Sequence, residues 1–123
     1  MGILKCENVR KNISNKEILK NINFELNKNE IVGLVAPNGA GKTTLMKLMV
    51  GLSSITQGKI KLYNFDVEQE FLKYIKEVGA IIEVPIFYPS LTCLQCLKFY
   101  AKLRNVDKDS LSKTIQLVGL ENL

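Results

Sequence analysis

The segment Ala36-Pro37-Asn38-Gly39-Ala40-Gly41-Lys42-Thr43-Thr44 constrains this chain more than any other stretch. It follows a continuous apolar run at residues 31–36, the pattern of a strand buried on both faces. It leads into residues 43–50, where Leu45, Leu48 and Met49 recur at helical spacing before Gly51, a natural stop. A glycine-bearing turn between a buried strand and an amphipathic helix is the setting of a P-loop. A phosphate chain carries several negative charges, so the loop that holds it turns backbone N–H groups inward. Gly39 and Gly41 permit the backbone angles and the close approach that a side chain would block. The helix that follows aims its unsatisfied N–H groups and positive dipole end at the same phosphates. Lys42 is expected to stabilise the β- and γ-phosphates, Thr43 to ligate Mg²⁺ and Thr44 to reach the α-phosphate. A glycine-rich turn with no ligand is the plainer alternative, and the joint presence of Gly39, Gly41, Lys42 and Thr43 weighs against it. The P-loop pattern opens on glycine, whereas this chain has Ala36. Its methyl is expected to strain the turn or crowd the neighbouring helix, by about 1 kcal/mol.

The flanking sequence alternates between strand and helix patterns. Ile22-Asn23-Phe24-Glu25-Leu26 has period two, and residues 27–30 read as a tight turn with Asn29 at positive φ. Gln57-Gly58 reads as a turn before a strand at residues 59–62. Residues 68–77 are expected to be helical and residues 78–82 to form a strand. Thr92 with Gln95 has the spacing of a capping box and opens a helix to about Leu103. A last helix is expected over residues 109–118, closed by Gly119. The alternation from residue 31 onward favours an α/β architecture with parallel strands.

Composition excludes several chemistries. The chain contains no histidine, which removes imidazole from every catalytic or metal hypothesis. Cys6, Cys93 and Cys96 are an odd set, the usage of a reducing, cytosolic setting. Cys93-Leu94-Gln95-Cys96 has no second cysteine pair beside it, so core or partner-facing thiols are the expectation rather than a metal site. No signal sequence and no apolar run long enough to span a bilayer is visible, so a spanning component is expected on another chain. The net charge of +5 is spread along the chain, as on a solvated surface, with nucleotide or nucleic acid phosphates as alternatives.

Beyond the loop, Leu19-Lys20-Asn21-Ile22-Asn23-Phe24-Glu25-Leu26 and Glu30-Ile31-Val32-Gly33-Leu34-Val35 resemble the start of an ABC transporter nucleotide-binding domain. Met49-Val50-Gly51-Leu52, Gln57-Gly58-Lys59-Ile60 and Tyr88-Pro89-Ser90-Leu91-Thr92 continue the resemblance over essentially the whole chain. It implies a P-loop NTPase fold of the ABC ATPase type. Residues 1–30 would form an antiparallel β region, residues 31–82 the P-loop core with the start of a parallel sheet, and residues 83–123 the start of a helical subdomain. The implied cofactors are ATP and Mg²⁺. The implied partners are a separately encoded integral-membrane permease subunit and a second ATP-binding subunit in a head-to-tail dimer. No nucleic acid partner is expected. The implied location is cytoplasmic, peripheral on the inner face of the cell membrane.

Three features modify the family pattern. The aromatic residue that stacks on adenine falls near Ile13, which either packs on the base or is simply a hairpin residue. The glutamine that contacts Mg²⁺ and the membrane subunit is replaced by Glu83. A carboxylate binds Mg²⁺ more strongly but repels the γ-phosphate unless metal lies between them. Glu83, with its neighbours at residues 79–85 and Phe87-Tyr88, resembles exporters conferring lantibiotic immunity or bacitracin resistance. Ile86, Phe87 and Tyr88 are the candidates for contact with the membrane subunit, with a buried aromatic pair as the alternative. The family's LSGGQ-type signature, acidic Walker B strand and switch histidine do not occur in these residues. ATP binding without efficient hydrolysis by this chain alone is therefore expected. The alternatives are a non-catalytic nucleotide-binding module, a gene remnant or, ranked lower, an ABC-type ATPase of translation or DNA repair. In the family the strand at residues 31–36 is flanked by strands from the other half of the domain. Without them an exposed apolar face, marginal stability or self-association is expected.

Overall fold

The computed structural model describes residues 2–83 and 87–122. Contacts divide the chain into one unit up to residue 84 and a second from residue 85.

The first unit is built on an antiparallel sheet. Strands β1 (Leu4–Ile13), β2 (Lys16–Leu26), β3 (Gln57–Leu62) and β4 (Phe65–Asp66) lie in the order β2-β1-β3-β4. Two short turns set the register. Ser14 and Asn15 (φ 49° and 64°) join β1 to β2 with Ile13 opposite Lys16, and Tyr63 and Asn64 (φ 47° and 69°) join β3 to β4 with Leu62 opposite Phe65. Paired positive φ values are those of a type I′ turn, whose twist matches that of the strands it joins. The β1–β2 ladder is irregular at Asn8 and Asn21, both at positive φ, and the Asn8 N–H finds its partner in the Asn23 side-chain oxygen at 2.9 Å. Opposite this bulge Gly58 has φ 97°, and a Cβ there would come within 2.3 Å of the Asn8 carbonyl oxygen. Gly58 is thus part of β3, where it allows the bulged backbone to approach; the turn expected at Gln57-Gly58 does not form.

Helix α1 (Lys42–Met49) covers the sheet with Leu45 and Leu48, and α2 (Phe71–Lys76) adds Tyr74. Together with Cys6, Val9, Leu19, Ile60, Leu62 and Val67 these form the core. The Tyr74 hydroxyl donates to the Met49 carbonyl at 2.6 Å, which satisfies the one polar group that this ring carries inward. The helix expected from residue 68 begins only at Phe71. The reason lies in Asp66, whose carboxylate accepts the Glu68 and Gln69 amides at 2.9 and 3.0 Å and holds them in a turn.

Two expected strands are not formed. Residues 31–36 and 78–82 carry no ladder, and every strand pairing among the described residues is antiparallel. A strand buried on both faces needs a partner along its edges, and no described strand pairs with residues 31–36. Ile31 and Val35 are 100% and 92% exposed. The start of a parallel sheet is therefore present as sequence without hydrogen-bonded pairing. The preceding turn forms as its residues dictate, with Asn29 at φ 61° and the Glu30 amide bonded to the Asn27 carbonyl.

The second unit consists of α3 (Cys93–Leu103) and α4 (Lys108–Leu117). Thr92 and Gln95 form the complete capping box at the start of α3. The N-cap of α4 is Asp107, whose carboxylate accepts the Ser110 amide at 2.6 Å, and Gly119 (φ 75°) follows the last turn. Among the described residues no helix is long and apolar enough to cross a membrane.

Candidate functional site

The loop between residue 36 and α1 is shaped by its glycines and by one lysine. Gly39 (φ 84°) sits inside a turn closed by the Ala40 N–H donating to the Pro37 carbonyl at 3.1 Å. A Cβ on Gly39 would meet nothing within 4 Å, so the space over the loop is open. Gly41 (φ 99°) is the N-cap of α1, and a Cβ there would lie 2.8 Å from the Leu19 side chain and 3.3 Å from the Ile18 carbonyl oxygen. Glycine is required at this position by both the angle and the pressure of β2. The chain is held there because Leu45 and Leu48 anchor the next turns of α1 to the sheet.

The start of α1 is left open electrostatically. No side chain caps it and no acidic residue lies in its first turn. The first N–H groups of a helix have no partner within it, and its dipole is positive at that end, so this terminus favours an anion. Lys42, half-buried, folds back so that its Nζ donates to the Ala36 carbonyl oxygen at 2.6 Å. Ala36, although distant from Lys42 along the loop, is thus its partner in space. Its φ is not positive, so the backbone carries no left-handed strain at this alanine. Thr43 is exposed and Thr44 half-buried.

The remaining candidates are more scattered. Ile13 is the last residue of β1, 47% exposed beside the turn at Ser14-Asn15. Glu83 (φ 62°) reaches α1, where its Oε1 lies 3.7 Å from Lys47 Nζ. This pairing escaped sequence reasoning, although Lys47 follows Thr43 at the i,i+4 spacing that shares a helix face. Ile86 lies outside the described residues. Phe87 and Tyr88 are each 59% exposed rather than buried, and the Tyr88 ring meets Phe99 edge-on at 6.2 Å. Cys93 is exposed and Cys96 buried, both as free thiols. No group of potential metal ligands assembles among the described residues.

Comparison with known proteins decides the family. The family described as ABC transporter matches residues 19–123. The chain belongs to the ABC transporter family. It is 40% identical over 119 residues to the uncharacterized ABC transporter ATP-binding protein YdbJ of Bacillus subtilis, covering 96% of this chain and 39% of that protein. The bacitracin transport ATP-binding protein BcrA of Enterococcus faecalis is 37% identical, with the same coverage. The lantibiotic transport ATP-binding protein SrtF of Streptococcus pyogenes is 32% identical over 98% of this chain and 52% of its own length. The chain therefore spans about half the length of these relatives, or less. A solved ATP-binding subunit of an ABC transporter superposes with a TM-score of 0.87 over 98% of this chain and 52% of that one. At 22% identity that likeness shows the ABC ATPase fold. The family binds ATP, usually with Mg²⁺.

Proposed function

We propose that this chain is the Mg·ATP-binding part of an exporter subunit whose cargo class is antibiotic peptides. The observation that carries the reading is the loop at residues 36–44, with an uncapped α1 terminus, open space at Gly39 and one lysine folded over it. The similarity to the bacitracin and lantibiotic transport ATP-binding proteins supports the cargo class.

The donor set fits a triphosphate. Backbone N–H groups of the loop and of the first turn of α1 bind the phosphate oxygens, and Lys42 exchanges the Ala36 carbonyl for the β- and γ-phosphates. Thr43 offers a hydroxyl to Mg²⁺, Glu83 a carboxylate, and Thr44 reaches the α-phosphate. Ile13 packs against the base as an aliphatic surface. Thr43 and Glu83 would hold the Mg²⁺, which would supply positive charge to offset that of the phosphates. Beyond Glu83 these residues offer no candidate for a further metal-holding acid or for a group that orients water, so the chain alone binds ATP without efficient hydrolysis. In the complete transporter it works beside a separately encoded permease, with Ile86, Phe87 and Tyr88 facing it, and a second ATP-binding subunit. That places it in the cytoplasm against the inner face of the membrane.

Titration with a fluorescent ATP analogue and Mg²⁺ tests the site. Lys42→Ala should weaken binding by about tenfold or more, the worth of a charge-assisted contact. Equal affinity of the two proteins would refute the assignment.

A further inference from the structure

The Glu83 carboxylate is held by a residue that the phosphate-binding site does not employ. Its Oε1 lies 3.7 Å from Lys47 Nζ. Lys47 stands one helical turn beyond Thr43 on the same face of α1, at a spacing of about 5–6 Å between Cβ atoms. The carboxylate is therefore drawn to the Thr43 face of the helix, but one turn further from the loop. Glu83 also takes φ 62°, a left-handed conformation that residues other than glycine keep only where their surroundings hold them. Such conformations concentrate at segments that switch. The ion pair is a weak tether, since the Lys47 and Glu83 side chains are 42% and 63% exposed.

We propose that Lys47 is a positioning residue that parks Glu83 away from the Thr43 hydroxyl, and that Glu83 exchanges Lys47 for a divalent cation there. The proposal rests on the reading of the loop as a Mg·ATP site. Lys47 and the cation then compete for one carboxylate. The apparent cation affinity is lowered by the fraction of Glu83 that Lys47 retains.

The test is the Mg²⁺ concentration that gives half-maximal binding of a fluorescent ATP analogue to the full chain. In Lys47→Ala this midpoint should fall about threefold, the scale of an exposed ion pair. Lys47→Arg should restore it, and Lys47→Gln, which keeps the stem without the charge, should behave like Lys47→Ala. In a Glu83→Gln background Lys47→Ala should have no effect, because the two residues act through one contact. An unchanged midpoint in Lys47→Ala and Lys47→Gln would overturn the proposal. So would an equal shift with and without Glu83, which would report only the lost positive charge. Wild-type protein that binds the analogue with a flat response to Lys47 substitution removes this proposal alone, whereas absence of any binding removes the Mg·ATP reading with it.

Discussion

Cys6, Val9 and Leu19 of the β1–β2 hairpin are almost completely buried, whereas Ile31 and Val35, a short distance further along, are almost completely exposed. Both regions are rich in aliphatic residues, so apolar character does not separate them. Edges do. Strand β1 has β2 along one side and β3 along the other, and α1 closes the face through Leu45 and Leu48. The run at residues 31–36 pairs with no strand among the described residues, and α1 reaches it through the Lys42 side chain at Ala36. Burial of a strand depends on who stands beside it, and hydrophobicity alone cannot supply that company.

The largest expected effect comes from damaging the region that is packed. Leu48 is fully buried, and Leu48→Ala should cost about 2–5 kcal/mol, much of the stability of a domain this small. Its thermal transition, followed by far-UV circular dichroism, should fall sharply or lose cooperativity. Val35→Asp should leave the same transition nearly unchanged, within about 0.5 kcal/mol, as substitutions at exposed positions do. Its effect should appear instead in sedimentation, as a shift toward monomer, because it interrupts an apolar run that otherwise invites association. A wild-type chain that is monomeric and melts cooperatively at high temperature would break the comparison.

The same division explains what could be read from the sequence. Features whose chemistry closes over a few residues were legible: the Thr92–Gln95 capping box, Asn29 at positive φ, Gly119 after α4, and the loop from Gly39 to Thr44. Features that depend on a distant neighbour were not. Gly58 resembled a turn glycine, and only the Asn8 backbone pressed against it shows why it lies within a strand. Residues 31–36 and 78–82 have strand composition but no ladder. Within the candidate site, nothing in the sequence announces that the Lys42 side chain bonds to the Ala36 carbonyl. The Lys47–Glu83 pair joins residues far apart in sequence, and nothing local announces it.

A smaller effect follows from the protonation of the packed region. Burial pushes the Cys6 thiol from 9.0 up to about 12, and it raises the Tyr74 phenol as well, with lesser contributions from Cys6 and Asp66. A group whose folded value is raised contributes stability that is full below its unfolded value and is lost as pH rises through the folded one. The urea midpoint of the first unit should therefore hold up to about pH 9 and decline toward pH 12. Cys6→Ala should flatten the part of this decline that belongs to the thiol. Residues 31–36, which contain no titratable thiol or phenol, should show no corresponding change in protease sensitivity below the unfolding transition.

The smallest effect concerns a contact as local as any in the molecule. Asp107 caps α4, and its hydrogen bonds with Ser110, backbone first, lower its carboxyl from the usual value, with the Asp109 amide assisting. Here the sign is opposite to that of Cys6: the contribution is present above the unfolded value and is lost as pH falls through the folded one. Acidification below about pH 4 should fray the first turn of α4, read as faster exchange of the Ser110 amide hydrogen. Asp107→Ala should produce the same fraying at neutral pH. Asp107→Asn separates cap from charge, because asparagine caps a helix about as well as aspartate but does not titrate. Slow Ser110 exchange should then persist into acid. Because this contact lies in the second unit and closes over three residues, none of these variants should move the melting of the β1–β2 sheet. A shift there would mean that the local and distant kinds of contact are coupled after all.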